Sequence, residues 1–246
     1  MPLDYLSRLT AKPRTGQANL HMGVLLALVA GALNAGGFLA VGQYTSHMTG
    51  MVSSFADQMV LRNFELATVA MVSWLAFVGG AAITAILVNH SARKGIDNIY
   101  ARPLLLEAAC VLVFGSFGGA LQIREFAQVS LAVIILCFAM GLQNALITKI
   151  SSAQIRTTHV TGLTTDLGIE LGKLIYWNRT PLSPGQEDVV ANREKMKVHA
   201  VLIGAFLAGG FSGALGFSHL GFISTVPLAL VLGTVALAPV FIKKSA

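Results

Sequence analysis

Charge is scarce in this chain. Only 11% of its 246 residues are Asp, Glu, Lys or Arg, while 54% are hydrophobic. That balance excludes an ordinary soluble domain. Charge also largely avoids six apolar runs, at about 20–41, 66–89, 103–121, 128–148, 198–217 and 221–242. Each approaches the roughly 20 residues an α-helix needs to cross a hydrocarbon core of about 30 Å. Helices are expected there, because backbone amides in lipid can bond only within the protein. The alternation of a transmembrane β-barrel strand is absent. The two cysteines, Cys110 and Cys137, both fall inside apolar runs. They are too few for a disulfide framework or a metal cluster and read as small core residues. Gly-x-Ser-x-Gly, His-Glu-x-x-His and phosphate-loop patterns are missing, so no catalytic residue, cofactor or metal ligand is assigned. The first run follows a polar tail, residues 1–19, and no small-residue cleavage site clearly ends it. It reads as a retained span rather than a secretory leader.

The net charge of +6 does not point to nucleic acid, because the basic residues are dispersed through loops. In a six-span path, 15 of the 17 Lys and Arg fall on one side, leaving Arg62 and Arg124 on the other. Cytoplasmic loops carry the Lys/Arg excess, so both termini are expected in the cytoplasm of a multi-pass inner-membrane protein.

What the chain does have is an internal echo. His47-Met48-Thr49-Gly50 returns as His159-Val160-Thr161-Gly162, 112 positions later. Asn34-Ala35 precedes the first copy, and Gln143-Asn144-Ala145 precedes the second. An acid follows each: Asp57 in the first, Asp166 and Glu170 in the second. Copy one covers about 20–121 and copy two about 128–242, with a polar cytoplasmic insertion at about 180–197. Residues 20–246 form one transmembrane domain. Three spans per copy is an odd number, so the second copy enters from the opposite side. Were the motif segments to span as well, giving eight spans, the basic split would weaken to 12 against 5. The expected fold is therefore all-α: six transmembrane helices in two inverted three-helix repeats. Each repeat carries a short non-spanning helix, re-entrant or interfacial, after its His-x-Thr-Gly turn. Gly79-Gly80 in span 2 and Gly209-Gly210 in span 5 align at an offset of 130.

Inverted repeats with odd span numbers are a recurring plan of secondary transporters, with sites near the repeat interface. Thr49 and Thr161 are expected to cap the helices that follow, and Gly50 and Gly162 to ease the turn. His47 and His159 add a titratable group beside those helix starts. His159, Asp166, Glu170 and Lys173 share a helix face by spacing. Asn34, Gln143 and Asn144 either glue helices together or line a central polar site near the pseudo-symmetry axis. Glu107 is the acid well inside a span, and intramembrane carboxylates are functional suspects. It either pairs near the interface with Arg102 or Arg93, or relays a proton or cation. Counting from Pro103 and Pro227, its counterpart is Val231. Gly115-x-x-x-Gly119 and Gly209-x-x-x-Gly213 permit close helix contact, within one chain or between copies of a homo-oligomer.

The order Asn-Ala … Ser-His-Met-Thr-Gly, then Gly-Leu-Gln-Asn-Ala … Arg-Thr-Thr-His-Val-Thr-Gly, resembles the YoaK-like family of bacterial membrane proteins. The likeness runs from span 1 to span 6, and Met51 stands where many relatives would carry a polar Asn. The resemblance implies an inner-membrane protein and names no substrate, cofactor or catalytic residue. The leading expectation is a small secondary transporter or exporter of a small solute, with a proton as candidate coupling ion. The alternatives are an intramembrane enzyme and a non-transporting assembly or lipid-interacting protein. Membrane lipid is the expected surrounding.

Overall fold

The computed structural model describes residues 2–12, 14–117, 126–151, 155, 157–178 and 187–243. Every regular element among them is helical: α1 (Pro2–Arg8), α2 (Gly16–Val41), α3 (Met48–Val60), α4 (Phe64–Arg93), α5 (Ala101–Ser116), α6 (Phe126–Ser151), α7 (Val160–Ile175), α8 (Arg193–Leu220), a 3₁₀ turn (Gly221–Ser224) and α9 (Thr225–Lys243). Local chemistry sets several ends. Thr15 accepts from the Ala18 amide to start α2, and Asn192 Oδ1 accepts from the Lys195 amide at 2.9 Å to start α8. These satisfy amides that a helix start leaves free. Gly42 closes α2 in the left-handed region at φ 74°, which glycine adopts without a Cβ penalty.

This is an all-α membrane protein. Four described stretches are long and apolar enough to cross a bilayer: Gly16–Val41, Phe64–Arg93, Phe126–Ser151 and Arg193–Ile242. The six apolar runs map onto α2, α4, α5, α6, α8 and α9 with small shifts at their ends. Two runs account for the difference in number. The described part of α5 has 16 residues, and its run continues into 118–121, outside the described residues. The last stretch is broken at Gly221 (φ 59°), which divides α8 from α9. The outer surface is apolar, as lipid contact requires: Leu75, Ile86, Leu112, Phe211, Leu215 and Leu230 all face outward.

α2 and α6 are the inner helices, with 56% and 61% of their apolar windows buried against 22% for α4. α2 packs on α8 and α6 packs on α4. Both contacts are made backbone to backbone through glycine. A Cβ on Gly31 would overlap the Phe206 carbonyl, and one on Gly209 the Leu28 carbonyl. In the other pair, a Cβ on Gly141 would overlap the Phe77 carbonyl, and one on Gly80 the Phe138 carbonyl. These partners match between copies at offsets of 110 and 129. The register expected from the Gly-Gly echo is thus off by one: Gly80, not Gly79, is the counterpart of Gly209. Thr84, which donates to the Leu142 carbonyl at 3.1 Å, corresponds to Gly213, whose Cβ would overlap Ala32.

Contacts also fix direction. Gly23 meets Leu202, Leu28 meets Gly209 and Gly36 meets Phe217, so α2 and α8 run the same way. By the same reasoning α4 and α6 are parallel. Leu26 meets Gln143, while Gly37 meets Leu136, so α2 and α6 are antiparallel. α5 and α9 are also antiparallel: Gly115 meets Thr225, while Arg102 and Leu105 line a recess with Ala236 and Val240.

The N-terminal tail is more ordered than its polarity suggested. α1 lies against α9. Asn98 Nδ2 donates to the Ser7 carbonyl at 2.8 Å and to Thr10 Oγ1 at 3.0 Å. The polar insertion ends earlier than expected, since Arg193–Lys197 are the first turn of α8; Pro181, Pro184 and Gly185 lie outside the described residues.

Candidate functional site

The two His-x-Thr-Gly segments adopt the same local structure. His47 and His159, not the threonines, occupy the N-cap positions of α3 and α7. Thr49 and Thr161 sit inside the first turn and are exposed. The expected threonine cap fails because each helix starts two residues earlier. The glycines then serve a different need. Each imidazole folds back over the first turn, and a Cβ on Gly50 or Gly162 would overlap its own histidine ring. Glycine is the residue that leaves room for it.

Asn34 and Asn144 anchor these turns. Asn34 Oδ1 accepts from Ser46 Oγ at 2.9 Å and from the Ser46 amide at 3.3 Å. Asn144 Oδ1 accepts from Thr158 Oγ1 at 2.6 Å, and its Nδ2 donates to the Met140 carbonyl at 2.8 Å. Each asparagine therefore ties the residue before the motif histidine to its inner helix. The two do not meet at the centre. The antiparallel register of α2 and α6 separates them by roughly 10 Å along the bundle, at 1.5 Å per residue. The centre itself, around Ala30 and Met140, is apolar and fully buried. Gln143 crosses the inner seam and donates from Nε2 to the Leu26 carbonyl at 2.7 Å; its Oε1 is buried without a partner.

The second motif helix docks through charge. Glu170 is buried; its Oε2 accepts from the Asn192 amide at 2.7 Å and its Oε1 from Lys173 Nζ at 2.9 Å. Asp166 pairs with Lys195 at 3.3 Å. α7 thus sets two acids against the N-terminal start of α8, where the helix dipole favours them. His159 stands at the head of this helix and Asp166 and Glu170 along it. In the first copy the same place is neutral: Asn63, the N-cap of α4, donates to Gln58 Oε1 at 2.9 Å. Gln58 is the counterpart of Glu170, whereas Asp57 is exposed.

The Asn192 amide and then the Lys173 ammonium hold the Glu170 carboxyl below the ordinary carboxylate range. A lowered folded value means the latch is fully present above the unfolded value of about 4.3 and is lost as pH falls through the folded value. Hydrogen exchange of the Asn192 amide should therefore stay slow at neutral pH and quicken only in acid. Glu170→Ala should make it fast already at neutral pH. Slow exchange in that variant would disprove the latch.

The latch borders a cleft of about 880 Å³ lined by Gln17, Asn19, Ser151, Asp166, Lys195 and His199, among others. His199 is nearly fully buried and its Nδ1 has no partner. Sequence reasoning passed over it, although a histidine inside an apolar run is itself a signal. Thr45 and Thr157 were missed too; both are fully buried with unpartnered hydroxyls at matched places before the motifs. Among the described residues no group of three or more His, Cys, Asp or Glu converges as a metal site would.

Comparison with known proteins places this arrangement. A family model described as "Protein of unknown function (DUF1275)" matches residues 22–238. The chain belongs to that family. The family's match spans both motifs, the Glu170–Asn192 latch and all or most of each apolar run. Among curated relatives, the chain is similar to the UPF0700 transmembrane protein YoaK of Bacillus subtilis (strain 168), 24% identical over 214 residues. The alignment covers 85% of this chain and 89% of that protein. No solved structure matches.

Proposed function

We propose that this family member is a small secondary transporter of a small solute, built as two inverted three-span repeats in the inner membrane with both termini cytoplasmic. The reading is supported by helix direction. Six alternating spans make α2 and α8 parallel, α4 and α6 parallel, and α2 antiparallel to α6, as their contacts require. Eight alternating spans would make α2 and α6 parallel. α3 and α7 are also short, at 13 and 16 residues. Such helices reach about 20–24 Å, less than a hydrocarbon core of about 30 Å.

The observation that carries the function is the unequal tightness of the helix pairs. α2 with α8, and α6 with α4, interlock through backbone contacts at glycine. The two pairs meet across the α2–α6 seam through side chains, Gln143 on Leu26 and Leu136 on Gly37. The moving bodies are then α2–α7–α8 and α3–α4–α6, each drawn from both repeats. Rocking along the seam would alternately open the end holding the His199 cleft and the end holding His47. Asn34 and Asn144 bridge the two bodies, each holding the motif turn of one body to the inner helix of the other.

Purified protein in proteoliposomes, screened with radiolabelled amino acids, organic acids and sugars, should accumulate at least one of them. Asn144→Ala and His159→Ala should each lower that flux while melting as the wild type does. Unchanged flux in both variants would remove the motif from the pathway. Absence of any flux, with a folded protein that assembles into one defined oligomer, would favour the non-transporting alternative.

A further inference from the structure

Glu107 lies on the inward face of α5 beside Leu104, Ala108 and Val111, and is fully buried. Neither of its carboxyl oxygens has a hydrogen-bond partner. The interfacial pairing with Arg102 or Arg93 that the sequence allowed is not made.

The helices packed against α5 bring it no charge. α9 has no ionisable side chain between Thr225 and Ile242. On α6 the ionisable groups are Cys137 and Lys149, and Lys149 reaches Asn89 near the end of the helix. On α4 they are Glu65, His90 and Arg93, all near its two ends. The 3₁₀ turn has none. On α5 itself, Cys110 lies one turn along and interacts with Glu107.

The repeat supplies no second acid. Val231, the counterpart counted from proline, faces outward, and the fully buried position one residue on is Leu232. A metal cation would need several oxygen ligands around it, and the described residues offer no cluster of acids or histidines. A proton needs one carboxylate.

We propose that Glu107 binds the coupling proton of this carrier. It holds one proton as the neutral acid in the conformation described here. It releases that proton when α5 shifts against α9 and lets water reach the carboxyl. A bare carboxylate without water or donor is the costliest form to keep in an apolar bundle, so loss of the proton and movement of the helix are tied together. Coupling rests on the carrier reading; the proton site itself does not.

Dicyclohexylcarbodiimide tests the site on the full-length protein in vesicles of phosphatidylethanolamine and phosphatidylglycerol. The carboxyl proton passes to a carbodiimide nitrogen while the carboxyl oxygen adds to its carbon. The O-acylisourea formed rearranges to a stable N-acylurea visible by peptide mass spectrometry. An adduct at Glu107 that forms in acid and fades in alkaline buffer is expected. It should be absent with a water-soluble carbodiimide and in Glu107→Gln. Equal labelling at every pH, or labelling by the water-soluble reagent, overturns the proposal.

Melting curves decide the case in which the reagent fails to reach the site. Glu107→Gln keeps the shape and is neutral at every pH. The unfolded wild type gains a charge at lower pH than the folded form does. The wild type should therefore lose melting temperature toward alkaline pH relative to the variant. Parallel curves would overturn the proposal. If the labelling and melting results hold while no solute moves, the carrier reading fails alone.

Discussion

A cysteine replacing His47 reacts with a membrane-impermeant maleimide added outside intact cells, and one replacing His159 reacts only after the membrane is permeabilised. The expectation follows from helix direction. α2 leads toward position 47 and α6 leads toward position 159, and the two inner helices are antiparallel. Both histidines are exposed at their helix starts, so access to the reagent is not limited by burial. The wild type is a usable blank, since Cys137 is buried and Cys110 half-buried within long apolar helices. Lys94→Cys, on the same side as the second motif in the six-span path, should behave as position 159 does. The contrast should be nearly complete, because a lipid bilayer stands between the two sites. Labelling of positions 47 and 159 from one compartment would remove the inverted arrangement and the rocking mechanism with it.

The membrane helices were legible because lipid imposes a composition that needs no partner to recognise. Each apolar run became a helix over its described residues, with ends close to those expected where they are described. The repeat was legible in the motif, where His47 and His159 take the same position, but not in the partner register. Nothing in the string Gly79-Gly80 says which glycine faces another helix, and the choice depends on the rotation of α4 against α6. The motif's chemistry was misassigned for a related reason. Thr-Gly before an apolar stretch has the look of a cap, yet the helix begins at the histidine and the glycine makes room for its ring. Glu170 was found by spacing, while its partner Asn192, 22 residues on, was not. Their contact forms only once α7 folds against α8. The ordering of the N-terminal tail escaped notice because its bonds come from Asn98, in the α4–α5 connection, to Ser7 and Thr10, which are distant in sequence.

Neighbouring glycines should respond very unequally to the same methyl group. Gly80→Ala places a Cβ against the Phe138 carbonyl, a backbone atom that cannot turn aside. Gly209→Ala does the same against Leu28 in the other pair. Overpacking of this kind costs about 3 kcal/mol, the upper end of the usual range, when backbone must shift. For a chain of this size that is roughly 6–12 °C of melting temperature in detergent. Gly79→Ala meets no atom within 4 Å, and the change should stay within about 0.5 kcal/mol. Because α2–α8 and α4–α6 are proposed to move as units, Gly80→Ala should also loosen the unit and depress transport in the fraction that still folds. Equal melting temperatures for the variants at 79 and 80 would mean that the α4–α6 contact is not backbone to backbone. The division into two glycine-locked bodies sliding on the Gln143 seam would then have no physical basis.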